Sequence, residues 1–410
     1  MSKHVLYVLY DGLTENIPQS QVIPYLVELS KKGYRFTILS FEKENYLQER
    51  KTLIQELLNA HNIAWVIKSF STKPPIVSKL WNVWQMKQEI KKIHSKDPIS
   101  LIHCRSYMAS LSGLWAKQTL GIKFLFDMRG FWADENKDMG VWNIENVVFK
   151  RVYTYFKQKE KDFLEQSDAI VSLTTSGKKE LLTWKNISIP ENKINVIPCC
   201  VDTSVFDYNK INSADVSALR KNLNIDENAL VICFLGTVGN LYMPDKMMRF
   251  FSLLLAEKPN SIFLYITTQP AEFIYSLAKE NNIPLDNIRV KGAKRLEVAS
   301  MLSICNYSLF FIRPYYSKIA SSPTKQGEIM ALGIPIITNK GIGDTEAIVR
   351  TSNAGYVVEG FTDNELLKCV KEVCANHTFS KEEIRNGATQ FYSLNNGVEK
   401  YNAIYRELIG

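Results

Sequence analysis

The sequence predicts an α/β fold with two Rossmann-like domains that face each other across a cleft. Two observations lead to this prediction: short strands that are apolar throughout, and longer segments of helical period between them. Such strands, separated by amphipathic helices, are typical of parallel sheets that are covered on both faces. A third observation is the polar exit after Pro198, which separates two series of this kind and places a domain boundary near residue 205.

The predicted strands fall into one series before residue 176 and a second series after the boundary. The first series contains the segments "HVLYVLY", "YRFTILSF", "AWVIKSF", "LIHCRSY", "IKFLFDMRG" and "DAIVSLTT". The second contains "LVICFLGT", "SIFLYITT", "NIRVKGA", "YSLFFIRP", "IPIITNKG" and "GYVVEG". Ligands of open α/β sheets bind beyond the carboxyl ends of the strands, so we expect the functional residues at those ends.

Composition excludes several classes of protein. The seven cysteines are odd in number and include no CxxC pair, which argues against a disulfide framework and against a zinc site. No apolar run is long enough to cross a bilayer, and no cleavage site for a signal peptide follows the start, so we expect a cytoplasmic protein. The net charge of +8 fits an anionic ligand or an anionic membrane surface, and also mere solubility. We expect no nucleic-acid partner, no metal and no cofactor.

The loop after the first strand is the first candidate ligand site. Gly12 lies between the strand and a predicted helix, where a missing side chain lets a ligand approach the backbone. A simple turn glycine explains the position equally well. Ser20 is a plausible N-cap of the following helix. The loop has no GxGxxG, so the nicotinamide fingerprint is absent from its expected place.

The segment "SSPTKQGEIMALGIPIITN" predicts an anion site. Ser322 is predicted as the N-cap and Pro323 as the first residue of a helix that ends at Gly333, before a buried strand. Free backbone N–H groups, the helix dipole and Lys325 would then attract a diphosphate, and Glu328 would accept hydroxyl groups of a ribose or sugar. In isolation, a capped surface helix with a solvated lysine and glutamate explains the segment better.

Several stretches taken together resemble one family. The junction "NVIPCCVD", the segment "GEIMALGIPIITN" and the ending "NNGVEKYNAIYREL" look like a GT-B glycosyltransferase of the retaining family 4 type. The stretches "SQVIPYL", "FDMRGFWADE", "GTVGNLYM" and "GIGDTEAIV" look like a polysaccharide-building branch of it. The resemblance covers the whole chain. It implies an acceptor domain, 1–205, a nucleotide-sugar donor domain, 206–385, and a C-terminal helix, 386–410, that crosses back to the first domain.

The resemblance also implies roles for individual residues. The catalytic candidates are Asp127, Lys325 and Glu328. The donor-binding candidates are Gly12, Gly236, Thr237, Gly239, Tyr242, Arg313, Ser322, Thr324, Lys325 and Glu328. The acceptor-side candidates are Gln19, Ser20, Arg105 and Arg129. The arginines could equally pair with structural carboxylates, and His103 on the apolar strand before Arg105 is expected to be a satisfied core residue.

The sequence departs from the family pattern in three places. The family's first glutamate is replaced by Ala320, so its role at the donor sugar must pass to neighbouring groups. The family's histidine at the end of an N-terminal strand falls near Asp127, which would then face the transferred sugar or act as a base. Without a usual Arg and Lys pair after the first strand of the second domain, Lys325 is expected to carry more of the diphosphate charge.

The resemblance implies transfer of a sugar from a UDP- or GDP-linked donor with retention of configuration. The sequence has no HxxEH, DxD or Cys/His cluster, and a helix start with Lys325 can stabilise a departing diphosphate, so we expect metal-independent transfer. The acceptor would be a glycan or a lipid-linked saccharide in surface or capsular polysaccharide synthesis. A nucleotide-sugar epimerase and a non-catalytic scaffold on the same fold remain alternatives, and the absent fingerprint disfavours a dehydrogenase.

Two basic aromatic segments suggest a membrane surface. The segments "KPPIVSKLWNVWQMKQEIKKIHSK" and "FKRVYTYFKQKEKDF" combine lysines with tryptophan, tyrosine and phenylalanine. A basic helix bearing such residues can lie on an anionic membrane, which suits a peripheral enzyme with a lipid-linked acceptor. Two ordinary helices with outward-facing lysines explain the segments as well.

Overall fold

The computed structural model describes residues 3–295, 297–375 and 377–410, and the chain divides into two compact units. The N-terminal unit contains the residues up to Pro198, the short segment Ile319–Ser321 and the segment Leu394–Gly410. The C-terminal unit contains Cys199–Lys318 and Ser322–Ser393. The domain bounds predicted from the sequence, 1–205, 206–385 and 386–410, differ from this division and remain predictions.

The N-terminal unit is built on a parallel sheet of seven strands within the described residues. The strands are β1 (His4–Leu9), β2 (Arg35–Glu42), β3 (Ala64–Ser69), β4 (Leu101–Arg105), β5 (Lys123–Asp127), β6 (Ala169–Ser172) and β7 (Ile194–Val196). They lie in the order β3-β2-β1-β4-β5-β6-β7. The helices between them are α1 (Asn16–Gln21), α2 (Ile23–Ser30), α3 (Glu44–Ala60), α4 (Pro75–Lys96), α5 (Ser106–Leu120), α6 (Trp132–Asp138), α7 (Val147–Gln166) and α8 (Thr175–Thr183).

The C-terminal unit is built on a second parallel sheet, with six strands among the residues that the structure describes. The strands are β8 (Leu230–Leu235), β9 (Ser261–Ile266), β10 (Ile288–Lys291), β11 (Tyr307–Leu309), β12 (Ile336–Asn339) and β13 (Gly355–Val358), in the order β10-β9-β8-β11-β12-β13. The helices are α9 (Ser213–Asn222), α10 (Pro244–Glu257), α11 (Ala271–Glu280), α12 (Val298–Ser303), α13 (Thr324–Ala331), α14 (Thr345–Thr351), α15 (Asp363–Cys374) and α16 (Lys381–Tyr392).

The prediction of two Rossmann-like domains is confirmed, and each predicted strand segment contains an observed strand. All residues of β1 and β9 are buried, because helices cover both faces of a parallel sheet. The prediction missed β7, which has only three residues at the edge of its sheet, close to Pro198. A half-buried edge strand of this length carries too few apolar residues to be recognised.

A final helix, α17 (Leu394–Ile409), belongs to the N-terminal unit and packs on α2 and β4. Its residues Tyr401 and Tyr405 are buried there. The His103 Nδ1 atom lies 2.7 Å from the Tyr405 hydroxyl oxygen, and the His103 ring is buried. His103 is therefore a core residue but is not fully satisfied, because its Nε2 atom has no hydrogen-bond partner among the described residues. Helix α17 supplies Tyr401 and Tyr405 to this part of the N-terminal unit.

Candidate functional site

The first candidate site lies in the C-terminal unit, at the start of α13. The helix begins at Thr324, and Pro323 with extended backbone is its N-cap, so the predicted cap at Ser322 and first helical residue at Pro323 are wrong by one position. The Ser322 hydroxyl instead accepts a hydrogen bond of 3.2 Å from the Cys199 amide. Because Pro323 has no capping side chain, the first backbone N–H groups of α13 keep their capacity to bind an anion.

Lys325 is held beside the end of β8. Its Nζ atom donates a hydrogen bond to the Leu235 carbonyl oxygen and lies 4.1 Å from the ring centroids of Phe234 and Tyr242. Burial lowers the pKa of Lys325 to about 7, although the Glu328 carboxylate opposes this effect. Lys325 is therefore not a solvated surface lysine, and an anion placed beside it would favour its charged form.

Gly236 leaves the approach to Lys325 open. It has a φ of +112°, which favours glycine, and a Cβ atom there would lie 3.5 Å from the Lys325 Nζ atom. Gly239 and Tyr242 follow in the same loop, where the Tyr242 amide donates to the Gly239 carbonyl, and Thr237 is exposed. The loop thus brings Gly236 and Tyr242 to Lys325.

Arg313 and Thr324 complete the predicted donor set. The Arg313 guanidinium donates through Nε to the Asn240 carbonyl at 3.1 Å, which ties it to the loop after β8. Thr324 is the first residue of α13 and is partly buried. The Arg313 side chain contacts the backbone of the loop after β8. Lys325 contacts the end of β8 and the rings of Phe234 and Tyr242.

Glu328 is buried, with only 5% of its surface exposed, and it pairs with a residue that sequence reasoning missed. The Arg295 guanidinium donates to the Glu328 carboxylate and lies 4.8 Å from the Phe206 ring centroid. Burial raises the pKa of Glu328, and the charge of Arg295 counteracts that effect. Arg295 follows the carboxyl end of β10 in the run "KGAKRLE", and that position was the signal that could have identified it.

The second candidate site lies in the N-terminal unit, around Asp127 at the carboxyl end of β5. Asp127 is 1% exposed, and its carboxylate lies 3.8 Å from Nη1 of Arg105 and 3.8 Å from Nη1 of Arg129. Nε2 of His103 lies 3.6 Å away, and the Tyr401 hydroxyl donates to Asp127 over 3.4 Å. Three of the predicted residues therefore share one buried cluster.

The charges around Asp127 keep it ionised. Burial would raise the pKa of Asp127, but the charge of Arg129, the nearby His103 ring and the charge of Arg105 outweigh it and hold the pKa below its usual value. Burial lowers the pKa of His103, and Asp127 opposes that shift. A carboxylate with a lowered pKa is a good hydrogen-bond acceptor and a weak base.

The loop after β1 is occupied by a side chain of the protein itself. The Glu42 carboxylate accepts hydrogen bonds from the Leu13 amide at 2.7 Å and from the Thr14 amide at 3.1 Å. A Cβ atom at Gly12 would lie 2.6 Å from Glu42 Oε2. Gly12 is thus required for contact with Glu42, and the loop amides that an anion would use already bind a carboxylate.

Gln19 and Ser20 lie inside α1 and bond locally. Gln19 Nε2 donates to the Thr14 carbonyl at 2.9 Å, and the Ser20 hydroxyl donates to the Ile17 carbonyl at 3.1 Å. The predicted N-cap at Ser20 is wrong, because a short helix already spans Asn16–Gln21 and the next helix begins at Ile23. Pro24, near the start of α2, has no backbone N–H group, so α1 cannot continue through it as a regular helix.

The described residues contain neither a candidate metal cluster nor a candidate membrane span. Residues 3–295, 297–375 and 377–410 contain no group of three or more His, Cys, Asp or Glu side chains placed to hold a metal ion. In the same residues, no helix combines the length and apolar character that crossing a membrane requires.

Comparisons with known proteins identify the family of the chain. A family model described as glycosyltransferase family 4 matches residues 25–205, and one described as glycosyl transferases group 1 matches residues 215–390. A D-inositol 3-phosphate glycosyltransferase from Nocardioides sp. is 20% identical over 321 residues, which are 74% of this chain and 66% of the relative. The chain thus spans slightly less than two thirds of that relative's length.

Solved structures resemble the chain over nearly its whole length. A glycosyltransferase from Rickettsia africae matches with a TM-score of 0.74 at 18% identity. The match covers 100% of this chain and 99% of the Rickettsia chain. HepE from Anabaena, in complex with UDP-glucose, matches with a TM-score of 0.71 at 12% identity and covers 98% of this chain and 99% of its own. These similarities show that the fold is GT-B.

Proposed function

Because the chain belongs to glycosyltransferase family 4, we propose that it transfers a sugar from a UDP- or GDP-linked donor to a glycan or lipid-linked saccharide, with retention of anomeric configuration. One observation carries this proposal: Lys325 lies against two aromatic rings beside Gly236 and the start of α13. A lysine in this position, next to free helix N–H groups, suits the diphosphate of such a donor. The HepE structure holds UDP-glucose, which supports a nucleotide-sugar donor here.

Lys325 would act mainly on the leaving group. As the bond between the sugar and the diphosphate breaks, negative charge grows on the diphosphate, and the ammonium group and the α13 amides stabilise it. The low pKa of free Lys325, about 7, means that donor binding would draw a proton onto it. This arrangement needs no metal ion to balance the charge, so we infer metal-independent transfer.

Glu328 would accept hydrogen bonds from the ribose or sugar hydroxyls of the donor. Its carboxylate is buried, and within the described residues its one hydrogen-bond donor is the Arg295 guanidinium, so its other lone pairs remain capable of accepting. Arg295 is half exposed, and its side chain can stay beside Glu328 while a hydroxyl binds there. Thr237, Gly239, Arg313, Ser322 and Thr324 are proposed to complete the donor site.

Retention requires the acceptor oxygen to attack on the face from which the diphosphate departs. The acceptor hydroxyl would form the new bond to the anomeric carbon as the donor bond breaks, and its proton would pass to the leaving phosphate. Asp127, with its lowered pKa, is proposed to hold the transferred sugar by hydrogen bonds in preference to acting as a base. Arg105 and Arg129 are proposed to bind the acceptor.

The acceptor is proposed to belong to surface polysaccharide synthesis, with peripheral contact of the enzyme with a membrane. The Nocardioides relative is named for D-inositol 3-phosphate, so a phosphorylated cyclitol belongs in the acceptor panel beside glycans and lipid-linked saccharides. Gln19 and Ser20 of α1 are proposed to lie near the acceptor, although their side chains bond to the nearby carbonyls of Thr14 and Ile17.

The test measures nucleoside diphosphate release with each donor in the presence and absence of each acceptor, with a chelator added in parallel. We expect release in proportion to acceptor, no effect of the chelator, and a product whose anomeric configuration matches the donor by NMR. Lys325→Ala should lower release by roughly two to three orders of magnitude, whereas Lys279→Ala on the exposed surface of α11 should leave it unchanged. Conversion of the donor without acceptor would identify an epimerase, and donor binding without turnover would identify a scaffold.

A further inference from the structure

An apolar groove runs between helices α4, α5 and α7 of the N-terminal unit. Its volume is about 800 Å³, which is in the range of ligand pockets, and its walls are formed by side chains such as Val83, Leu111, Leu114 and Val152. Along α5 it extends from Met108 to Gln118, a length of roughly 15 Å at 1.5 Å per residue. This shape fits an extended hydrocarbon chain better than a sugar.

The groove is bordered by positive charge. Its lining contains Lys79, Lys87, Arg151 and Lys159 and no acidic residue. Among the described residues, only Lys159 of these four forms an ion pair, with Asp162 at 2.7 Å. Burial and the nearby charge of Lys159 lower the pKa of Lys87, so an anion at this border would relieve an existing repulsion.

Large apolar side chains surround the mouth of the groove without cover. Leu80 is 67% exposed, Trp84 is 50% exposed and Val148 is 52% exposed, and Trp81 stacks on Trp84 with ring centroids 4.7 Å apart. Further exposed apolar residues on the same helices and the loop before α7 are Val77, Val141, Ile144, Val147 and Phe149. One lipid molecule in the groove would not cover them, whereas a bilayer would.

The groove begins near the residues of the proposed acceptor site. Met108 follows the carboxyl end of β4 on α5, and Trp132 starts α6 directly after the segment that carries Asp127 and Arg129. The carboxyl ends of β4 and β5 are adjacent in the sheet. A lipid chain in the groove would therefore hold this edge of the N-terminal unit close to the membrane.

We propose that the groove binds one acyl chain of an anionic phospholipid, drawn from a bilayer on which the exposed residues of α4 and α7 rest. This inference rests on the proposed membrane contact and is independent of sugar transfer. A second copy of the chain is a poorer occupant, because a symmetric contact would place two sets of these basic residues together. A neutral lipid is also poorer, since it would leave those residues without an anion.

The first experiment measures sedimentation with vesicles of phosphatidylglycerol and with vesicles of phosphatidylcholine. We expect at least about tenfold stronger binding to phosphatidylglycerol, and a similar loss in the double variant Lys79→Glu, Lys87→Glu, since each juxtamembrane lysine contributes about 1 kcal/mol. Leu80→Glu should also weaken binding, and Leu53→Glu on the exposed side of α3 is its matched control. Equal binding to both vesicles, or none to either, would overturn the proposal.

The second experiment asks whether an acyl chain enters the groove. In the double variant Trp81→Phe, Trp84→Phe, the tryptophans that line the groove are Trp115, Trp132 and Trp142. Phosphatidylglycerol brominated at mid-chain should quench their fluorescence, whereas the same lipid brominated in the headgroup region should quench much less. Sedimentation without mid-chain quenching would contradict groove occupancy, and dimerisation that Leu80→Glu abolishes would identify a second copy as the occupant.

UDP binding to the same variants separates this proposal from the donor site. The substitutions lie in the N-terminal unit, and Lys325 and Glu328 lie in the C-terminal unit, so UDP affinity should stay unchanged. Loss of vesicle binding together with unchanged UDP affinity would show that the substituted residues bind the membrane and that the donor site does not depend on them. Loss of both would indicate misfolding, which the thermal unfolding transition and the matched control Leu53→Glu would reveal.

Discussion

The two candidate sites contain the same kinds of charge in different arrangements. In the N-terminal unit, the guanidinium groups of Arg105 and Arg129 both lie 3.8 Å from the Asp127 carboxylate. In the C-terminal unit, Arg295 pairs with Glu328, while the second cation, Lys325, contacts a carbonyl and aromatic rings.

The difference lies in which group can change its charge. An arginine stays protonated in proteins, so the Asp127 cluster has a fixed charge distribution that suits positioning. Lys325 has a pKa of about 7 and can gain a proton when an anion binds. The comparison indicates that one site is built to orient a substrate and the other to respond to developing charge.

The largest expected effect is that of Lys325→Ala. We expect turnover to fall by roughly two to three orders of magnitude, because the ammonium acts on charge that develops in the transition state. UDP or GDP affinity should fall less than turnover, and affinity for the corresponding nucleoside should hardly change, since only the diphosphate carries the anion. Calorimetry and single-turnover rates, with Lys279→Ala as control, provide the measurement. Equal small losses for nucleoside and nucleoside diphosphate would contradict the assignment.

Asp127→Asn tests the fixed-charge site. We expect turnover to fall by roughly a hundredfold with nearly unchanged UDP affinity, because the carboxylate is proposed to hold the transferred sugar. The unfolding free energy should also fall, by about 3 kcal/mol, since two buried guanidinium groups lose their shared carboxylate. Denaturant unfolding measured beside single-turnover rates checks both. Parallel losses of UDP affinity and turnover in folded protein would make Asp127 a donor-binding residue.

Glu328→Gln should weaken donor binding by about tenfold or more, because a charge-assisted hydrogen bond contributes about 1.5 to 3 kcal/mol. In contrast to Lys325→Ala, the loss should be similar for uridine and for UDP, since the ribose is common to both. Arg295→Gln is the companion variant, and it should cost less, because Arg295 is half exposed and its ion pair is screened. Calorimetric titration of uridine and of UDP into Glu328→Gln and Arg295→Gln measures these losses of affinity. Unchanged uridine affinity in Glu328→Gln would refute the ribose role.

The smallest expected effect concerns stability without ligand. Lys325→Met should raise the unfolding free energy at pH 6 by about 1 kcal/mol, because a buried charge is replaced by an apolar side chain among aromatic rings. The folded-state pKa of about 7 lies below that of an unfolded lysine, so the unfolded state binds more protons above pH 7. Wild-type stability should therefore rise relative to Lys325→Met as pH increases from 7 to 10. A constant difference would contradict the lowered pKa.

The sequence was informative where a single segment carries the signal. Strands such as β1 and β9 are apolar throughout, and Lys325 and Glu328 are close together in one short helix, so the fold and this part of the site could be predicted. Contacts between residues that are far apart in the sequence could not be predicted in this way. Arg295 is 33 residues from Glu328, and Glu42 is 28 residues from Thr14, whose amide it binds.

The missed contacts share one physical cause. Strand order brings β2 beside β1, so Glu42 at the end of β2 reaches the loop after β1, and only the folded sheet shows that this loop already holds a carboxylate. The predicted caps at Ser20 and Ser322 failed because both serines have better partners nearby. At Ser322 a tertiary hydrogen bond from the Cys199 amide overrides the local cap preference, and at Ser20 a local bond to the Ile17 carbonyl inside α1 does so.

The most direct test of the donor-site account is proton uptake on UDP binding, measured by calorimetry at pH 8 in buffers of different ionisation enthalpy. Wild-type protein should take up close to one proton per UDP, because Lys325 is mostly neutral when free and charged beside the diphosphate. Lys325→Arg should bind UDP without proton uptake, and uridine should cause none in either protein. Equal proton uptake by wild type and Lys325→Arg would contradict the account, because the titrating group would then lie elsewhere.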